Sequence, residues 1–252
     1  SGPLSKISST SDKATDKILK ASGATDTFNK KLDTTGTVAT KTSNGLNKLV
    51  TAFLSLAAVQ KGISIVDEYT NTSARLGLIT NSLEEQKALQ DQIFASANRS
   101  RGVYSDMASA VAKLGITASE AFGSNDELVA FTELIQKGFK VGGANQSEQS
   151  AAMLQLTQAM GSGKLQGDEF RSIMENAPMI ADAIAKYVNI SKGELKELAS
   201  EGEITSDIIK NAIFAASDGI NEKFESMPMT FSEVWNKIKN AGTNAFGGMM
   251  EN

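Results

Sequence analysis

The sequence predicts an all-α protein: a multi-helix globular domain of short capped helices preceded by a long, marginal, heptad-patterned helix. Three observations carry that prediction. Helix-start signals recur from residue 82 onward, as Ser82-Leu-Glu-Glu85, Ser124-Asn-Asp-Glu127, Asn145-Gln-Ser-Glu148, Ser191-Lys-Gly-Glu194 and Thr230-Phe-Ser-Glu233. In each, a short polar side chain can accept the N–H three residues on while the acidic side chain turns back to the start of the helix. Behind these starts the apolar residues repeat at helical spacing, and no alternating run of useful length competes with them. The composition agrees: aromatic residues make up 6% and proline occurs 3 times, which favours helices over β-branched and aromatic strands.

The first 63 residues carry a heptad. Counting from Leu4, positions a and d run through Leu4, Ile7, Ile18, Ala21, Phe28, Leu32, Leu46, Leu49, Phe53, Leu56 and Ile63, and thirteen of the eighteen a and d sites are apolar, which makes the pattern sustained. Thr34, Thr35, Gly36, Thr37 and Thr40 soften its middle. Two readings stay open: a marginal helix that needs a partner, or a Ser/Thr-rich leader that becomes helical only near Leu46. Residues 64–246 are globular in texture. Helices are expected from Ser82 to near Gly102 with Leu89, Ile93 and Ala97 in line, and from Tyr104 to Leu114, stopped by Gly115. The next follow Ser124, with Leu128, Phe131, Leu134, Ile135 and Phe139 on one face, and Asn145, with Met153, Leu156 and Met160.

Three short helices then span 167–202. Phe170, Ile173, Met174 and Ala177 share one face; Pro178 breaks the chain and suits the first position of a helix carrying Ile180, Ile184 and Val188. Ser191 and Glu194 open the third, with Ile190 and Leu195 as a hydrophobic staple, and Gly202 ends it as a left-handed cap. Thr205 opens one helix through Ile209, Ile213, Ala216, Ile220 and Phe224. Thr230 opens the last, in which Trp235 reads as core, and residues 247–252 read as a frayed tail. The expectation is nine or ten helices.

Composition narrows the chemistry. The chain of 252 residues has no histidine, which removes the most usual general base and the commonest metal ligand, and no cysteine, which removes disulfides and thiol chemistry. A net charge of −4 argues against broad nucleic-acid binding. Leu49 to Val59 is the nearest approach to a membrane span and is too short. The start, Ser1-Gly-Pro-Leu4, lacks Met and any signal-peptide pattern; it reads as a cloning scar on an excised fragment.

Several motifs invite sharper readings. Gly161-Ser-Gly-Lys164 has the look of a phosphate loop, yet Leu165 stands where a magnesium-binding hydroxyl belongs and a helix precedes it, so the two glycines read as a helix stop and a close turn. Asp168, Glu169 and Glu175 supply carboxylates of the kind a glycosidase uses, but the first two open a helix, where they meet its dipole favourably. Residues 191–216 mimic a helix-turn-helix, but 206–216 is mostly apolar with one lysine and reads as core. Phe231 and the C-terminal methionines offer an adaptable contact surface as the alternative to packing. No catalytic residue, cofactor or metal site is expected.

An ordered series of short segments resembles the tape-measure domain of bacteriophage tail tape-measure proteins. It comprises Gly161-Ser-Gly-Lys-Leu-Gln-Gly-Asp-Glu-Phe-Arg171, Ala177-Pro178, and Ile190-Ser-Lys-Gly-Glu-Leu-Lys-Glu-Leu-Ala-Ser-Glu-Gly-Glu-Ile-Thr205, with Asp67–Leu76 and Ala95–Arg101 upstream and Met227-Pro-Met-Thr-Phe231 downstream. The resemblance covers roughly residues 65–246. Its signature positions are Gly161, Gly163, Leu165, Gly167, Glu169, Phe170, Pro178, Ser191, Glu194, Gly202, Thr205, Pro228 and Thr230. The resemblance implies a non-enzymatic structural component of a phage or prophage tail: the N-terminal part of a protein that occupies the tail tube, sets tail length during assembly and leaves ahead of the DNA. It implies a virion-tail location after synthesis in the host cytoplasm. The implied partners are other copies of the chain in a coiled coil or bundle, the tail tube, tail-assembly chaperones, and baseplate or hub proteins, with no small-molecule substrate and no specific nucleic acid. The competing readings are a cell-wall hydrolase module and a helical DNA-binding regulator. For the leader, a peptide of residues 1–63 is expected to gain helicity with rising concentration by circular dichroism; a concentration-independent coil signal refutes the heptad reading.

Overall fold

The computed structural model describes residues 69–250; the heptad-patterned stretch 4–63 lies outside the described residues. Helical residues 69–76 lead into a 3-10 turn, Gly77–Ile79. Ten α-helices with defined bounds follow: α1 (Leu83–Arg99), α2 (Tyr104–Thr117), α3 (Asn125–Val141), α4 (Gln146–Ser162), α5 (Gly167–Asn176), α6 (Pro178–Val188), α7 (Lys192–Glu201), α8 (Ser206–Ala215), α9 (Ser217–Ser226) and α10 (Phe231–Met250). The protein is all-α. Residues Asn71–Asn240 form one compact unit; Ser1–Thr70 and Ala241–Asn252 belong to another.

The expected starts are realised with one variation. Asn145, Ser191 and Thr230 make complete capping boxes with Glu148, Glu194 and Glu233. At Ser82 and Ser124 the hydroxyl accepts the N3 N–H, but Glu85 and Glu127 reach one residue further back, to the N–H groups of Asn81 and Gly123. Thr205 accepts from Ile208 N–H and starts α8. These bonds satisfy donors that the first helical turn leaves without partners.

Helix α3 is the axis of the compact unit. From Leu128 to Phe139 only Ala130 is exposed, because α1, α2, α6, α8 and α9 all pack on it. Phe131 is fully buried and meets the tilted rings of Phe122 and Phe214, at centroid distances of 5.2 and 6.3 Å. On α1 and α2, Phe94 stacks on Tyr104 at 3.7 Å, and Met107 and Val111 of α2 are fully buried. Helix α4 lies along α2 and α5, and α8 along α6.

Five local expectations are corrected. Gly115 does not stop α2, which runs on to Thr117; a Cβ there would stand 2.8 Å from Ile79 and 3.1 Å from Leu128, so this glycine permits a close approach. The single helix expected from Thr205 to Phe224 is two, α8 and α9, broken at Ala216. Ser217-Asp218-Gly219 follows the break, and such residues suit a new first turn better than a helix interior. Trp235 is half-buried, not core, while Glu233 and Asn240 take the buried places on its helix. Helix α10 continues through Gly247 and Gly248 to Met250. Finally, two-residue strands β1 (Lys164–Leu165) and β2 (Ile204–Thr205) pair antiparallel, too short for any alternation to announce them.

Packing separates residues of one type. Phe131→Ala should cost about 3–5 kcal/mol in chemical denaturation. Phe231→Ala, at a side chain 71% exposed, should stay within about 0.5 kcal/mol.

Candidate functional site

Six of the signature residues, Gly161, Gly163, Leu165, Gly167, Gly202 and Thr205, lie in or beside a clasp that joins two turns distant in sequence. Helix α4 ends at Gly163, left-handed at φ 81°, whose N–H reaches the Met160 carbonyl. Gly161, expected as part of that stop, lies inside α4, where a Cβ would come within 3.0 Å of the Thr117 carbonyl on α2. Beyond Gly163, β1 sets Lys164 opposite Thr205 and Leu165 opposite Ile204. Leu165 and Ile204 are both buried, and the Ser206 N–H closes the clasp on the Gly163 carbonyl at 2.9 Å. Gly167 opens α5 at φ 42° and Gly202 ends α7 at φ 77°, conformations glycine adopts without steric cost. At Gly202 a Cβ would also stand 2.6 Å from the Gln166 side chain.

Between the two turns, Phe170 is buried and Glu169 half-buried on α5; Pro178 takes the first position of α6; Ser191 and Glu194 cap α7. They stand on, or at the starts of, the three helices α5, α6 and α7 that lie between the paired strands. The apparent phosphate loop is therefore a helix end running into a strand, with Lys164 exposed. Glu175 is exposed on α5, and Ile209, Ala212 and Ile213 of the apparent recognition helix are buried.

Pro228 and Thr230 belong to a second corner, built around a residue that the sequence did not single out. Helix α1 ends with Arg101 left-handed at φ 56°, and the Gly102 N–H returns to the Ala97 carbonyl. Gly102, near which the helix ends as expected, also clears room for Gln136, whose side-chain oxygen would meet a Cβ at 2.8 Å. The Arg101 guanidinium donates to the carbonyls of Met227 and Phe224, at 2.9 and 3.3 Å, and lies 4.4 Å above the Phe224 ring. Its own carbonyl accepts from Lys140 Nζ and Asn236 Nδ2. Glu233 stands 3.9 Å from Arg101 and 3.4 Å from Lys140. Burial works to raise the Glu233 carboxyl, but the Thr230 N–H, Lys140 and Arg101 outweigh it and hold it below the usual carboxylate range. Burial pulls the Lys140 ammonium below its ordinary value despite Glu233.

A third polar group ties α1 to α3. Glu133, 7% exposed, receives Arg99 Nη2 at 2.7 Å and Lys137 Nζ at 2.8 Å. Burial raises its carboxyl, yet the hydrogen bonds from Arg99 and Lys137 prevail and the net shift is downward; the same bond raises Arg99. Sequence alone presents Glu133 and Lys137 as an ordinary i, i+4 surface pair. Only burial of all sides of α3 reveals them as interior.

The described residues hold no cluster of three or more acidic groups able to take a metal ion, and no described helix is long and apolar enough to cross a membrane. The family model described as tape measure protein matches residues 60–251. No curated protein and no solved structure matches the chain.

Because the Glu133 carboxyl is depressed in the folded state, its contribution is present above the unfolded glutamate value of about 4.3 and is lost as pH falls through the folded value. Thermal melts from pH 7 downward should show wild-type stability falling through this acidic range. Glu133→Gln should show a lower plateau at pH 7 and a shallower acid loss; an unchanged acid limb would show that Glu133 titrates normally.

Proposed function

The chain belongs to the tape measure protein family and is thus a structural component of a phage tail, and from that premise we propose that the protein it represents sets tail length during assembly and leaves the tube with the DNA. An α-helix advances about 1.5 Å per residue, so an extended helical chain converts residue number into length. Even a wholly helical chain of 252 residues would reach only roughly 380 Å by that rule. The described unit is no such rod. Its helices are 10 to 20 residues long and fold back on one another around α3. The observation that supports a role as an end piece is this compactness: the clasp and the Arg101 corner hold a defined shape, and shape is what docking requires. Other copies of the chain, the tube, the assembly chaperones and the baseplate or hub are its proposed partners. Length is assigned to helical sequence outside the compact unit.

The test is genetic, in a phage or prophage that makes the full-length protein. Removing residues 71–240 should abolish tails, whereas shortening helical sequence elsewhere should shorten them by about 1.5 Å per residue removed, measured by electron microscopy. Intact tails shortened in proportion to a 71–240 deletion would assign the ruler to this unit and overturn the end-piece role. Cleavage of purified peptidoglycan by the chain would overturn the purely structural role.

A further inference from the structure

Between Met227 and Asn240 the chain carries Met229, Phe231, Val234, Trp235 and Ile238, yet none of these is buried. The buried side chains of this segment are polar: Glu233 at 7% and Asn240 at 1% exposure. Bonds that hold it reach the corner between α1 and α2 and Lys140 of α3. Asn240 accepts from the Tyr104 N–H at 2.7 Å and donates to the Gly102 carbonyl at 2.9 Å and to Asn98 at 3.0 Å. Asn236 donates to the Arg101 carbonyl, Arg101 to the Met227 carbonyl, and Lys140 and Arg101 face Glu233. Helices α3, α6 and α8 are held differently, by buried Phe131, Phe139, Ile180, Ile184, Ile209 and Ile213.

The two kinds of attachment fail differently. Apolar burial is non-directional and removes large area from water at once. A hydrogen bond released to solvent is replaced by one to water at small net difference, and ion pairs weaken as salt screens them. The receiving corner is itself under backbone strain, since Arg101 sits in a left-handed conformation that a side chain occupies only when its surroundings enforce it. Docking of the segment adds to that enforcement through the Arg101 side chain and carbonyl, beside Lys140 of α3 and the Gly102 N–H to Ala97 bond.

We propose that residues 227–240 form a releasable latch, which leaves the Arg101–Tyr104 corner as one piece while α1 to α9 stay folded. Asn240 is its pin, because it occupies both the Tyr104 N–H and the Gly102 carbonyl, the backbone groups that flank the turn between the two helices. Once released, residues 227–240 lose the hydrogen bonds that hold them to the corner. The latch gives this end of the unit two states without any opening of the core. The inference rests on the packing and stands apart from the tail role.

Hydrogen–deuterium exchange on the 252-residue chain tests it. Amides of residues 234–240 should exchange about tenfold faster or more than those of α3 and α8 at neutral pH, and faster still in about 1 M salt while α3 and α8 hold their protection. Asn240→Ala should accelerate 234–240 by about tenfold or more and leave α3 and α8 unchanged. Equal protection of 234–240 and α3, unmoved by salt, would overturn the latch. So would an Asn240→Ala chain in which every helix loses protection together or which fails to fold, since the segment would then be inseparable from the core.

Discussion

A helix packed on almost every side has to bring partners for whatever polar groups it carries, and α3 carries four such side chains into the interior, of which Thr132 donates to the Leu128 carbonyl of its own helix. Burying an unpaired charge is far more costly than a well-made pair is favourable, so Glu133, Gln136 and Lys137 dictate what may stand beside them. Glu133 is matched by Arg99 of α1 and Lys137 of its own helix. Gln136 receives the Ser100 hydroxyl, and Lys137 donates to Asn221 of α9. The apolar face of α3 sets the energy of packing, while these bonds set its register. Because Arg99 and Ser100 are held in place, the chain must turn at Arg101, and that turn becomes the receptor for the segment that follows α9.

The clasp solves a different problem with few residues. Four helices, α4 to α7, have to reverse direction in tight turns and finish beside the start of α8. Left-handed residues Gly163, Asn189 and Gly202 end α4, α6 and α7, and the paired strands Lys164–Leu165 and Ile204–Thr205 fasten the first and last of these turns to each other. Such a short ladder contributes little energy by itself. Its buried members, Leu165 and Ile204, anchor it in the core, and the loop of helices between them is thereby closed.

The two fastenings differ in chemistry and so in expected behaviour. The clasp combines backbone pairing with apolar burial and moves only when the core moves. The Arg101 corner combines charges, amides and carbonyls with half-exposed Trp235 and Ile238 above it.

Much of this is legible in the order of the amino acids, for a reason that is physical. Capping involves groups three or four residues apart, so Ser82, Ser124, Asn145, Ser191, Thr205 and Thr230 declare helix starts wherever the chain folds. Left-handed ends at Gly163 and Gly202, the break at Pro178 and the all-α class follow from equally short-range rules. The resemblance to tape-measure proteins is likewise carried by such turn residues. What no local rule contains is which surface a face is turned towards. Gly115 reads as a stop and serves as a close approach; Phe131 and Phe231 look alike, yet one is the centre of the core and the other is exposed; Trp235 lies half in water while Asn240 is interior. Those outcomes depend on groups far along the chain, Ile79 for Gly115, Phe214 for Phe131, Tyr104 for Asn240. The sequence by itself determined the helices and their ends, because backbone bonding is local. The tertiary structure alone decided what each helix hides and how its charges pair, because burial is a property of neighbours that only folding brings together.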